Sequence, residues 1–170
     1  MEEHERVEHI EQVLTIQNPD GSFRIVSGTM LSRSSEPLEA GVTERFVSVN
    51  TPGQRQTVTT FAPASDRPPT YPPVLPFVPR VTTYVTQHLD TGQPPSARYW
   101  LVGDPEPVLA AIVQQSLDAG WERVAQTPRL PATPGEKHIL EREGRIRMMY
   151  VAHVQDGAAI VELDDLKKWW

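Results

Sequence analysis

The sequence predicts an α+β, β-rich fold: an antiparallel sheet with one principal helix, at about 105–119, packed on one face, preceded by a mostly β N-terminal half. Three observations carry this. Polar and β-branched residues alternate in short runs separated by turn signals through the first 61 residues. One segment, 104–120, has a start signal, an apolar stripe at helical spacing and a stop signal. Asp156-Gly157 sits between two alternating runs as a two-residue hairpin turn.

Residues 1–62 read as a polar, β-rich N-terminal half. Asn18-Pro19-Asp20-Gly21 separates a run over 12–16 from one over 23–31. A second pair, 44–49 and 55–61, flanks Asn50-Thr51-Pro52-Gly53. The first stretch has two readings. Val7, Ile10 and Leu14 follow helical spacing, so 2–14 also fits an acidic amphipathic helix. A strand from about residue 8 is the preferred reading.

Residues 63–79 are a proline-rich linker, with seven prolines in 17 positions. Proline fixes φ and lacks the amide donor, so no helix or central strand runs through here. The segment is expected to be extended and semi-rigid, spacing two β-rich halves. Val74, Leu75, Phe77 and Val78 are too apolar for a solvated linker and are expected to lie against a folded surface.

Residues 80–170 read as an α+β module with a C-terminal tryptophan tail. Strands are expected over 81–89 and 97–103. The helix follows: Asp104 suits the cap, Pro105 the first turn, and Glu106 the positive dipole end. Val108, Leu109, Ile112, Val113 and Leu117 form its apolar face, and Gly120 ends it. A strand over 121–125 and a proline-rich loop over 127–135 lead to two hairpins. Pairing outward from Asp156-Gly157 sets Val154 opposite Ala159, Ala152 opposite Val161, and Tyr150 opposite Leu163. That register extends an apolar face through Ile146 and Met148, on which the helix is expected to pack. Arg147, Val151, His153, Gln155 and Glu162 fall on the other face. A three-residue turn at 143–145 would set Leu140 opposite Met148, Glu141 beside Arg147, and His138 opposite Tyr150.

Composition narrows the function. The hydrophobic share, 38%, is lean, and a net charge of −6 argues against a general binder of nucleic acid or of anionic membranes. There is no cysteine, which excludes disulfides, thiolate nucleophiles and thiolate metal sites. The longest apolar run, 108–113, is too short to span a bilayer, so no membrane association is expected. The acidic start lacks an apolar signal core, so the default compartment is the cytoplasm; a leader already trimmed away would leave the same sequence. Arginine outnumbers lysine thirteen to three, a bias that points to a GC-rich bacterial genome.

The chain has no Gly-x-Ser-x-Gly, His-Glu-x-x-His, Walker or dinucleotide-binding motif. His4 and His9 lie in an acidic terminus, His138 and His153 point to opposite faces in the hairpin register, and His88 has only Asp90 nearby. No catalytic residue, metal site or cofactor is assigned. Two features suit a protein partner. Pro68-Pro69-Thr70-Tyr71 fits the Pro-Pro-x-Tyr pattern that WW domains read, which makes Tyr71 a candidate. Trp169 and Trp170 are costly to leave in water and either fold back or dock on a partner. The expectation is a non-enzymatic binding or assembly module, possible as a homodimer, with a small enzyme built from scattered His, Asp and Glu as the alternative. Open strand edges in the polar N-terminal half favour the dimer.

Overall fold

The computed structural model describes residues 10–17, 23–34, 39–50, 54–88, 93–124, 137–168 and 170. Among the described residues, ten strands form one antiparallel sheet. They are β1 (Ile10–Gln17), β2 (Phe23–Ser34), β3 (Val42–Asn50), β4 (Gln54–Phe61), β5 (Thr82–His88), β6 (Gln93–Val102), β7 (Glu122–Arg123), β8 (Lys137–Arg142), β9 (Arg145–Gln155) and β10 (Ala158–Lys167). Their order across the sheet is β1-β2-β3-β4-β5-β6-β10-β9-β8-β7. The one helix among the described residues, α1 (Glu106–Asp118), packs on one face. It is not long and apolar enough to cross a membrane. The fold is thus the β-rich α+β arrangement that the alternation and the single capped helix foretell.

From Ile10 onward the first segment is a strand, laddered over its full length to β2. The N-terminal strands join the C-terminal ones directly: Phe61 of β4 pairs with Thr83 of β5. The turn signals at 18–21 and 51–53 and the loop at 127–135 lie outside the described residues.

Helix α1 forms where its signals place it, but it begins one residue later than expected: Pro105 takes the cap position, its carbonyl accepting from the Leu109 N–H, and the Asp104 carboxylate before it accepts the Glu106 N–H at 3.0 Å. Gly120, at φ 100°, turns the chain out of the helix, and the Trp121 N–H returns to the Ser116 carbonyl at 3.1 Å. Val108, Leu109, Ile112 and Val113 are buried. Of the strand expected over 121–125, the described residues 121–124 show only the two residues of β7, paired with Leu140 and Glu141.

Residues 63–79 carry no helix or strand, but they do not span open solvent. They lie as a strap across the α1 side of the sheet. Tyr71, Leu75 and Val78 are buried in one cluster with Phe61, Val85, Tyr99 and Ile112. Prolines leave the strap few donors of its own, so neighbouring side chains satisfy its carbonyls. The Tyr71 and Tyr99 hydroxyls donate to the Pro76 carbonyl at 2.7 and 2.6 Å. The Gln115 amide takes both backbone groups of Phe77. The ends close through Arg80 N–H to the Ala64 carbonyl, 2.8 Å. Gly41, at φ 86°, admits this approach: a Cβ there would lie 2.8 Å from Pro68. Val74, expected against the surface, is instead exposed.

The C-terminal hairpins correct the expected register twice. At the first, Glu143 and Gly144 both have positive φ, 50° and 78°, so the turn has two residues and Arg142 faces Arg145. Leu140 therefore faces Arg147, Glu141 faces Ile146, and Lys137, not His138, faces Tyr150. At the second, Asp156 and Gly157 have φ 52° and 80°, and Val154 faces Ala159 as expected. The register then shifts: Ile160 faces His153 but Val161 faces Val151, so Ala152 is the extra residue of a bulge. Beyond it every side chain changes face. Met149, not Met148 or Tyr150, joins Val161 and Leu163 under α1, and Arg147 turns inward.

Arg147 is 2% exposed. It makes a two-bond pair with Asp165, at 2.7 and 2.8 Å, and donates to Ser116 Oγ at 2.9 Å and the Val74 carbonyl at 3.0 Å. Its guanidinium lies 4.3 Å from the Trp121 ring centroid. One side chain thus ties sheet, helix and strap together, with its donors largely satisfied.

Candidate functional site

The structure separates the residues that the sequence nominates. Tyr71 is 2% exposed. Its ring packs against Phe61 and Phe77, with centroids 5.0 and 5.5 Å away. Burial pushes its hydroxyl pKa up. In this conformation the ring belongs to the core and is not presented to a Pro-Pro-x-Tyr reader. Trp169 lies outside the described residues. Trp170 is 39% exposed, with Lys168 Nζ 5.6 Å from its ring centroid. His138 faces Met149 and His153 faces Ile160, on opposite sides of the sheet. Among the described residues no group of three or more His, Asp or Glu is arranged to hold a metal ion.

The strongest constellation is one the sequence does not announce. On the face away from α1, directly opposed residues form a straight row across seven strands. It runs Glu44 (β3), Thr60 (β4), Tyr84 (β5), Arg98 (β6), Glu162 (β10), Tyr150 (β9) and Lys137 (β8). Opposed residues on antiparallel strands have their Cβ atoms about 5 Å apart, so such a row is one continuous strip. All seven residues are half-buried. Arg98 Nε lies 2.6 Å from Glu162 Oε1, and the Tyr150 hydroxyl lies 2.7 Å from Glu162 Oε2. Lys137 Nζ sits 5.5 Å from the Tyr150 ring centroid.

Asp164, one step along β10 on the same face, lies 3.1 Å from the Tyr150 hydroxyl. That hydroxyl has one proton and two carboxylates to serve. Burial, and then the charge of Glu162, raises the Asp164 pKa above the ordinary 3.8. Protonated, Asp164 itself becomes a donor to the tyrosine oxygen. The same burial and the same two carboxylates push the Tyr150 pKa well above its ordinary value. Burial, and then Glu44, raises that of Tyr84. The strip therefore offers neutral hydroxyls between charges of both signs. The buried Trp100 Nε1, next on β6, has no hydrogen-bond partner among the described residues. Further along β10 and just past its end, Leu166 and Trp170 are exposed.

Sequence reasoning placed Tyr150 and Glu162 on opposite faces, because the bulge at Ala152 is silent in the pattern. The available signal was alternation in 82–88 and 96–100, which puts Tyr84, Arg98 and Trp100 on one side of their strands. Linking them to Glu162 needed the pairing of β6 with β10. No family model, curated protein or solved structure matches this chain.

Proposed function

We propose that this chain is a non-enzymatic binding or assembly module whose helix-free sheet face takes a protein partner. The row from Glu44 to Lys137 is the observation that supports the reading. It offers donors, acceptors and both charge signs at strand spacing, and the exposed Leu166, further along β10, and Trp170, beyond its end, add apolar side chains. The net charge of −6 favours a protein over a nucleic acid. The test compares partners retained by the immobilised full chain with those retained by Lys137→Glu/Trp170→Ala and by a control on the exposed side of α1, Gln114→Lys. A stoichiometric partner held by wild type and control, and lost by the double variant, is the expected result. Equal retention by all three, or no stoichiometric partner, overturns it.

One observation favours the second reading, a small enzyme: Asp164 holds a proton beside Tyr150 at a higher pH than an ordinary carboxylate. Turnover of a hydrolase substrate by wild type that vanishes in Asp164→Asn, with folding intact, would select this reading over the first.

A further inference from the structure

The two edges of the sheet differ. One is β7, two residues long and made of Glu122 and Arg123. The other is β1, eight residues without proline, lysine or arginine, and with one charged residue, Glu11. An edge strand leaves alternate backbone groups unpaired, and proteins blunt such edges with shortness, charge, proline or cover. The β7 edge has shortness and charge. β1 is four times as long with the single charge of Glu11, and among the described residues no strand lies on its outer side.

We propose that β1 pairs antiparallel with β1 of a second copy of this chain across a two-fold axis, joining two ten-stranded sheets into one. The strand is self-complementary. With the axis at Val13, Ile10 faces Ile16 of the partner subunit, Glu11 faces Thr15 of the partner subunit, and Gln12 faces Leu14 of the partner subunit. No charge meets a like charge, and seven of the eight strand residues are used. Register with β2 adds a second argument. Ile10 is opposite Met30 and Leu14 opposite Val26, so one face of the β1–β2 pair carries the positions Ile10, Gln12, Leu14, Ile16, Arg24, Val26, Gly28 and Met30, five of the eight large and apolar. The two-fold pairing brings five such positions from each copy into one strip. An unrelated extended peptide would gain the backbone bonds without that match, which is why the occupant is a second copy. The pairing stands independently of any partner on the Glu44–Lys137 row.

The absence of cysteine makes a clean test. Directly opposed antiparallel residues have Cα atoms about 4.5–5.5 Å apart, within disulfide range. Val13→Cys in the full chain should crosslink to a dimer under mild oxidation, while Gln17→Cys, which this register sets eight positions, about 26 Å, from its own copy, should crosslink far less. Wild type should sediment at twice 19.1 kDa at micromolar concentration. Val13→Lys, which sets like charges opposite each other, should raise the dissociation constant on the order of tenfold or more while leaving the circular dichroism unchanged. Gln12→Pro and Val13→Pro give a second handle. Neighbouring strand amides point to opposite sides, so one of the two removes an outward donor and should release folded monomer. A wild type that stays at 19.1 kDa up to about 100 µM overturns the proposal. So does a dimer that survives Val13→Lys and both prolines, or equal crosslinking at 13 and 17.

Discussion

Strand β10 carries an arginine–carboxylate pair on each of its faces. On the α1 side, Arg147 and Asp165 are closed in by helix, strap and Trp121, with side chains 2% and 3% exposed. On the other, Arg98 and Glu162 sit in a half-buried strip with 34% and 15% exposure. The chemistry is nearly the same and the distances match, 2.7 against 2.6 Å. The surroundings differ, and they set what each pair does. The closed pair is a structural tie whose loss leaves an uncompensated buried charge. The open pair contributes little stability, since water and salt screen it. Under the proposed reading, it is the pair that a partner would meet.

The sharpest way to break this comparison is to remove both arginines separately. Arg147→Met should destabilise by about 3–5 kcal/mol, because Asp165 stays buried alone. Arg147→Met/Asp165→Leu should recover a large part of that loss. Urea denaturation measures both, and a single-variant cost below about 1 kcal/mol would erase the distinction.

The strap supplies the next test. Leu75→Ala should cost about 2–4 kcal/mol, near the value for Ile112→Ala on α1, since both side chains are fully packed. A free spacer would give about 0.5 kcal/mol or less. On the open face, Arg98→Gln should cost under about 1 kcal/mol, and less still at high salt.

The smallest effect is a change of slope. The folded state raises the Asp164 pKa, so it binds that proton more tightly than the unfolded chain does. The resulting stability is fully present below the ordinary carboxylate range and is lost as pH rises through the raised value. Asp164→Asn should therefore flatten the decline in unfolding midpoint as pH rises above about 4. A slope unchanged from wild type would show that Asp164 titrates like a solvated carboxylate.

Much of the architecture was legible because local chemistry decides it. Asp104, Pro105 and Gly120 bracket α1, and Asp156-Gly157 sets a hairpin turn, whatever the rest of the chain does. The faces were not legible. A strand's period is two, so one unannounced residue reverses it. Ala152 bulges with no glycine to mark it, and Glu143 takes a left-handed conformation that a glutamate rarely adopts. The Ala152 bulge moves Arg147 from the expected solvent side into the core, and the tighter turn at Glu143 changes which β8 residues lie opposite it. Proline content correctly excluded regular structure from the strap. It did not reveal that Tyr71 would anchor the strap inward, because that contact depends on Tyr99 and Pro76, fixed only by the tertiary fold.

The position of β10 also sets an order of events. It is the last of the described strands, yet it lies between β6 and β9, pairing Leu163 with Ala97 on one side and Met149 on the other. On a ribosome, β1 to β6 can close behind one another as local neighbours. Helix α1 emerges with its apolar face ready, but the Val161 and Leu163 side chains that complete its bed are made some fifty residues later. Until then Ile112 and Leu109 lack much of their cover. The slow and aggregation-exposed interval in making this protein should fall between the birth of α1 and the arrival of β10.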